Sequence, residues 1–167
     1  MYKIVVEKGY LSFSASHFIS YVGKCERIHG HNYGVSVELV GQLTQDAYVF
    51  DFVALKRIVR HICDALDHRF LLPARSAELE VREREGEGEW EIRFQNRRYV
   101  LPAGDVLPLP VDNITAERLA EYICGRLIEV LSGEHDLTNL ASVTVGVEEA
   151  PGQTAFYQHV LSPEVTR

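Results

Sequence analysis

The chain has 167 residues, 46% of them hydrophobic, and its formal net charge is −7. This length suits a single domain with a sizeable core, and the acidic balance argues against a general affinity for nucleic acid or an anionic membrane. Charges interrupt the first residues too early for a signal peptide, and no apolar run approaches membrane-spanning length. Because the three cysteines are an odd number and lie far apart, we expect reduced thiols in a cytoplasmic protein.

Two long strands are predicted at the start of the chain. Apolar and polar residues alternate over residues 2–16 and again over 33–43, and we expect these stretches to form an antiparallel pair joined by a long loop that holds Cys25. From Asp51 the apolar period becomes helical, which predicts a helix capped by Asp51 and ending near Leu66.

The second half of the chain predicts one more helix and two more strands. The helix runs from Thr115, a good cap, to about residue 132, where Gly133 can end it. Strands over 142–149 and 154–161 follow, with a turn between them.

The segment 73–112 is charge-rich, and residues 90–94 and 98–101 predict a hairpin inserted there. The order of elements indicates one α+β domain over residues 1–167, in which an antiparallel four-stranded sheet carries two helices on one face and the inserted hairpin.

The segment His29-Gly30-His31 points to metal chemistry. In an extended chain both imidazoles leave the same face, and Gly30 leaves room for close approach. His17, at the end of the first strand, is the natural third ligand if the two strands pair. Two histidines separated by one residue are a weak motif when they stand alone. The alternative is a chance pair of surface or core histidines, which is also our interpretation of His61, His135 and His159.

Cys25 lies just upstream and has four possible roles: fourth metal ligand, nucleophile, base or inert thiol. One cysteine with three histidines would make a closed structural site, whereas three histidines beside a thiolate would make an open catalytic one. Cys63 and Cys124 fall on helices among apolar neighbours, where packing is the better interpretation.

Three further carboxylates and one imidazole are candidates for proton transfer or ligand binding. Asp67 can orient His68 for proton transfer, or the pair can simply complement the end of a helix. By strand parity Glu149 shares the face of the preceding valines, so it requires a partner with N–H donors, whereas Glu148 faces the other way. The alternative is that both glutamates lie in solvent beyond the end of the strand.

Six segments in order resemble the 6-pyruvoyl-tetrahydropterin synthase and 6-carboxy-tetrahydropterin synthase (QueD) family. The segments are Phe13-Ser14-Ala15-Ser16-His17, Cys25-Glu26-Arg27-Ile28-His29-Gly30-His31-Asn32-Tyr33, Val49-Phe50-Asp51-Phe52-Val53-Ala54-Leu55-Lys56, Leu66-Asp67-His68, Asn113-Ile114-Thr115-Ala116-Glu117 and Val147-Glu148-Glu149-Ala150-Pro151 up to Tyr157. Isoleucine stands at 28 and 114, and alanine at 150, where the family usually has leucine, proline and threonine.

The resemblance implies the family's T-fold and its site residues. The metal ligands would be His17, His29 and His31, binding Zn²⁺. Cys25 would abstract a proton, and Asp67 with His68 would return protons. Glu149 would hold the amino-pyrimidine edge of a pterin, assisted by Thr115. The family also implies a homo-oligomer, commonly a hexamer of two trimers, with sites between subunits.

The implied activity is a lyase reaction on 7,8-dihydroneopterin triphosphate. The spacing from Cys25 to His29 favours the branch that forms 6-carboxy-5,6,7,8-tetrahydropterin with release of acetaldehyde and triphosphate, a step toward queuosine-type deazapurines. Two alternatives are the 6-pyruvoyl branch, which keeps the side chain, and a non-catalytic zinc- or pterin-binding T-fold homologue.

Overall fold

A computed structural model describes residues 1–84 and 86–161. Its two helices are α1 (Phe52–Leu66) and α2 (Ala116–Glu134). The strands, in chain order, are β1 (Tyr2–His17), β2 (Ser20–Tyr21), β3 (Lys24–Cys25), β4 (His29–Gly41), β5 (Arg69–Pro73), β6 (Glu80–Arg84), β7 (Glu89–Phe94), β8 (Arg97–Pro102), β9 (Val106–Leu109), β10 (Leu140–Ala150) and β11 (Gln153–Val160).

The predicted α+β class is confirmed, but the predicted sheet was too small. The main sheet has six strands in the order β11-β10-β4-β1-β5-β9. β1, β4, β10 and β11 are antiparallel neighbours as expected, whereas β5 runs parallel to β1 and β9 runs parallel to β5. Both added strands are short apolar runs. They lack the alternation of apolar and polar residues by which a strand is recognised in a sequence.

The helices pack on one face of this sheet over the larger hydrophobic core. Asp51 caps α1, since its carboxylate accepts hydrogen bonds from the backbone N–H groups of Val53 (2.9 Å) and Ala54 (3.2 Å). Thr115 caps α2, as predicted, but the helix continues through Gly133 to Glu134. Neither helix combines the length and the apolar character needed to cross a bilayer.

The insertion is larger than the predicted hairpin. β7 and β8 form that hairpin, and β6 adds a third antiparallel strand that its charge-rich sequence concealed. Along β5 the side chains alternate between two cores: Leu71 joins the helix-side core, while Phe70 and Leu72 join a second cluster with Ile92 and Phe94 of β7. The three-stranded sheet therefore packs against β5 and β9 on the face of the main sheet that lies opposite the helices.

Candidate metal centre and active site

Three imidazoles converge where β1 ends and β4 begins. In the antiparallel register His17 lies opposite His29, and Ala15 lies opposite His31, so all three rings share one face. One nitrogen from each ring lies within 4.8 Å of the others. Within residues 1–84 and 86–161, no other group of three or more His, Cys, Asp or Glu side chains meets this distance.

Backbone carbonyls orient two of these rings. His17 Nδ1 lies 2.8 Å from the carbonyl oxygen of Ile114, and His29 Nδ1 lies 2.9 Å from that of Arg27. A carbonyl only accepts hydrogen bonds, so each Nδ1 carries the proton and each neutral ring keeps a lone pair on Nε2. This arrangement is typical of metal-binding histidines.

Burial keeps His17 neutral. The ring is inaccessible to solvent, and this desolvation lowers its pKa from 6.5 to about 4. The hydroxyl of Tyr33 lies 3.3 Å from His17 Nε2, and burial raises the pKa of that tyrosine, which therefore remains a neutral donor. Three imidazole nitrogens fit the donor set that several divalent transition metals prefer.

Glu149 connects the histidine cluster to a cavity beside α2. Its Oε1 lies 3.3 Å from His31 Nε2 and 3.7 Å from His17 Nε2. The same glutamate lines a cavity of about 340 Å³ together with Thr115, Ile19 and Gln153. Glu148 points elsewhere, since its Oε1 accepts a hydrogen bond from the backbone N–H of Gly152.

Glu26 was not among the predicted site residues, yet its carboxylate reaches the cluster. Glu26 Oε2 lies 3.8 Å from His29 Nε2, and its Oε1 accepts a hydrogen bond from the Tyr21 hydroxyl at 3.1 Å. The three-residue interval between Glu26 and His29 was present in the motif, but a charged residue in a long loop is usually solvated, so the sequence offered no reason to select it.

Cys25 lies outside the three-histidine group. It belongs to β3 of a small hairpin with β2 rather than to an irregular loop, and it is 3% exposed. Its Sγ contacts the carbonyl oxygen of Glu26 at 3.4 Å. Burial raises the pKa of the thiol, and the nearby Arg97 guanidinium opposes that effect.

Asp67 and His68 form a pair just after α1, and His68 lines the same groove as His31. Asp67 Oδ2 lies 2.8 Å from His68 Nδ1, and its Oδ1 accepts the backbone N–H of Ser14 at 2.7 Å, the main reason that the pKa of Asp67 lies below its usual range. The His68 side chain is 83% exposed at the mouth of a groove of about 550 Å³. Among the described residues, no hydrogen bond or ion pair links this pair to His17, His29 or His31.

The model of one protein family, 6-pyruvoyl tetrahydropterin synthase, matches residues 6–160. The chain belongs to that family. Its curated relatives include a putative 6-carboxy-5,6,7,8-tetrahydropterin synthase of Methanocaldococcus jannaschii, which is 34% identical over 154 residues. That match covers 90% of this chain and 91% of the relative. The 6-carboxy-5,6,7,8-tetrahydropterin synthase of Haemophilus influenzae is 30% identical over 164 residues. That match covers 95% of this chain and 99% of the relative.

A solved relative within the 6-pyruvoyl tetrahydropterin synthase family has the same fold. The crystal structure of 6-pyruvoyl tetrahydropterin synthase from Plasmodium vivax aligns with a TM-score of 0.90 at 34% identity, covering 96% of this chain and 98% of that one. Two further structures of the Plasmodium vivax protein are catalytic-residue mutants in which a glutamate is replaced by alanine or cysteine.

Proposed function

We propose that this chain is a zinc-dependent lyase that converts 7,8-dihydroneopterin triphosphate and water to 6-carboxy-5,6,7,8-tetrahydropterin, acetaldehyde and triphosphate. The observation that carries the proposal is Glu149, which lies within 3.3 Å of a three-histidine cluster and lines a cavity beside it. The names of the archaeal and bacterial relatives support the carboxy product.

His17, His29 and His31 would hold the zinc ion through their Nε2 atoms, with one coordination position left for substrate. When bound, zinc supplies Lewis acidity that favours ionisation of a substrate hydroxyl. The carbonyls of Ile114 and Arg27 keep the His17 and His29 rings in the ligating orientation.

Glu149 and Thr115 would bind the pterin in the adjacent cavity. An ionised carboxylate accepts two N–H donors, which matches the amino-pyrimidine edge of a pterin. Thr115 lines the same cavity from the first turn of α2. In this arrangement the pterin's side chain extends toward the three histidines.

Cys25 is the proposed proton acceptor, and Glu26 is a second candidate for that role. Glu26 is favoured by its 3.8 Å approach to His29. A glutamate is also a catalytic residue of the Plasmodium vivax relative. Removal of a proton beside the ring would then allow triphosphate to leave as an anion.

The Asp67–His68 pair would return protons to a neighbouring subunit's site. Among the described residues its exposed imidazole forms no hydrogen bond or ion pair with the histidine cluster, and in a homo-oligomer it could serve a neighbouring subunit's site. We propose that residues 1–167 form one domain. We also propose that the chain assembles into a trimer or a hexamer of two trimers and works in the cytoplasm.

Product analysis tests the reaction. Purified protein loaded with zinc is incubated with 7,8-dihydroneopterin triphosphate, and the products are identified by mass. Acetaldehyde and 6-carboxy-5,6,7,8-tetrahydropterin are expected. Triphosphate without acetaldehyde would indicate the 6-pyruvoyl branch, and unchanged substrate would indicate a binding homologue.

A further inference from the structure

The hairpin between β7 and β8 reaches the segment that carries Cys25. Arg97, the first residue of β8, donates from Nη1 to the carbonyl oxygens of Cys25 (2.8 Å) and Glu26 (3.1 Å). Gln95, in the turn of the same hairpin, donates from Nε2 to the carbonyl oxygen of Gly23 at 3.4 Å. Three carbonyls of residues 23–26 are therefore held by one turn of the insertion.

Arg97 differs from the neighbouring arginines of the insertion. Arg84, Arg93 and Arg98 each form ion pairs with glutamates of the three-stranded sheet. Among the described residues, Arg97 has no carboxylate within 4.0 Å. Its positive charge is directed instead at two backbone carbonyls, and hydrogen bonds from a charged donor are the stronger kind.

The insertion also supplies the apolar surroundings of the Cys25 side chain. Cys25 belongs to the second hydrophobic cluster with Phe18 and Phe70 of the main fold and with Ile92 and Phe94 of β7. Tyr99 of β8 packs against Phe18 at a ring-centroid distance of 5.6 Å. The Cys25 side chain therefore shares a hydrophobic cluster with the inserted sheet, and its backbone carbonyl accepts a hydrogen bond from that sheet.

We propose that Arg97 is a positioning residue for proton abstraction, and that the inserted sheet holds the Cys25–Glu26 segment in its working geometry beside the histidine cluster. This rests on the proposed function, because it assigns the segment a role in turnover. A displacement of about 1 Å in a reacting group can cost on the order of 100-fold in rate, so two carbonyl contacts are enough to matter.

The kinetic test compares Arg97→Gln with Arg98→Gln, which makes the same change one residue away on a side chain that pairs with Glu91. We expect kcat of Arg97→Gln to fall by roughly 10- to 100-fold while KM and zinc content stay within about threefold of the unchanged protein. Arg98→Gln is expected to behave as wild type, and Arg97→Lys to recover part of the loss, because lysine keeps a charged donor. Equal kcat values for the two glutamine variants would overturn the proposal.

A substrate-free measurement separates this proposal from the proposed function. The backbone N–H of Glu26 donates to Ile19 at 2.9 Å, so hydrogen exchange of peptides spanning residues 19–28 reports opening of the segment. In Arg97→Gln we expect hydrogen exchange of these peptides to be roughly tenfold faster, while the exchange rate of peptides from β10 stays unchanged. If wild type turns over no pterin, the proposed function fails, and the exchange result alone decides whether Arg97 holds the segment. Unchanged exchange would overturn that structural role.

Discussion

Glu149 Oε1 lies 3.3 Å from His31 Nε2, so a single carboxylate belongs both to the histidine cluster and to the neighbouring cavity. This position brings the proposed pterin anchor and the proposed metal ligands into one site. It also means that a change at Glu149 can affect either function, and the experiments must measure both.

The first prediction concerns the two adjacent glutamates. Glu149→Gln should raise the substrate Kd by roughly 10- to 100-fold, because a charged acceptor for two N–H groups is lost. Glu148→Gln should change it little, since that carboxylate contacts the Gly152 backbone instead. Substrate binding is measured by calorimetry at constant zinc occupancy. A larger effect at Glu148 would mean that the pterin lies on the other face of β10.

The second prediction concerns the metal. His29→Ala should lower zinc affinity by more than about 100-fold, because two remaining imidazoles hold the ion poorly. His29 is a better choice than the fully buried His17, whose removal would also leave a cavity in the core. His61→Ala, on the exposed side of α1, is the matched control. Zinc is quantified by elemental analysis after dialysis, and full occupancy in His29→Ala would contradict the ligand assignment.

The third prediction separates the two candidate bases. If Cys25 is the proton acceptor, Cys25→Ala should lose about 10²- to 10⁴-fold in kcat and retain its zinc, whereas Glu26→Gln should lose far less. The reverse ranking would assign the role to Glu26, whose carboxylate is the one that approaches His29. Zinc loss in Cys25→Ala would instead make the thiol a ligand. Steady-state kinetics and metal analysis on the same preparations distinguish these outcomes.

The fourth prediction tests whether sites are shared between subunits. Cys25→Ala and His68→Ala should each be inactive, but mixing them under conditions of subunit exchange should restore activity in roughly a quarter of the sites. This follows because some sites then receive Cys25 from one subunit and His68 from its neighbour. If exchange is verified by native mass spectrometry and activity stays absent, both residues act within one chain.

The sequence predicted the elements that carry a clear period and missed those that do not. Alternation predicted the bounds of β1 and β10 to within about three residues of those observed. The helical period and the cap at Asp51 did the same for α1. β5 and β9 were missed because a strand covered on both faces shows no alternation. β6 was missed because its charges resemble those of a solvated loop.

The candidate site shows the same division. The approach of His17 to His29 could be predicted because antiparallel pairing of two recognisable strands determines it. The contact from Arg97 to Cys25 could not, because it joins residues that are distant in sequence through an insertion whose packing no local pattern reports. Glu26 lay inside the motif, and only the folded chain brings its carboxylate within reach of His29.

The last prediction concerns the glycine between the two histidines. A Cβ built on Gly30 would lie 2.8 Å from the carbonyl oxygen of Ala15 on the paired strand, so the space beside Gly30 is occupied by β1. Gly30→Ala should therefore push β4 away from β1 and separate His29 and His31 from His17. We expect zinc affinity to fall, and the free energy of unfolding to fall by about 1–3 kcal/mol. Gly125→Ala is the matched control, because a Cβ there meets nothing within 4 Å and alanine is the better helix former, so α2 should gain up to about 1 kcal/mol. Denaturant unfolding and zinc titration of both variants measure the two effects, and wild-type zinc affinity in Gly30→Ala would show that the cluster does not depend on the close approach of these strands.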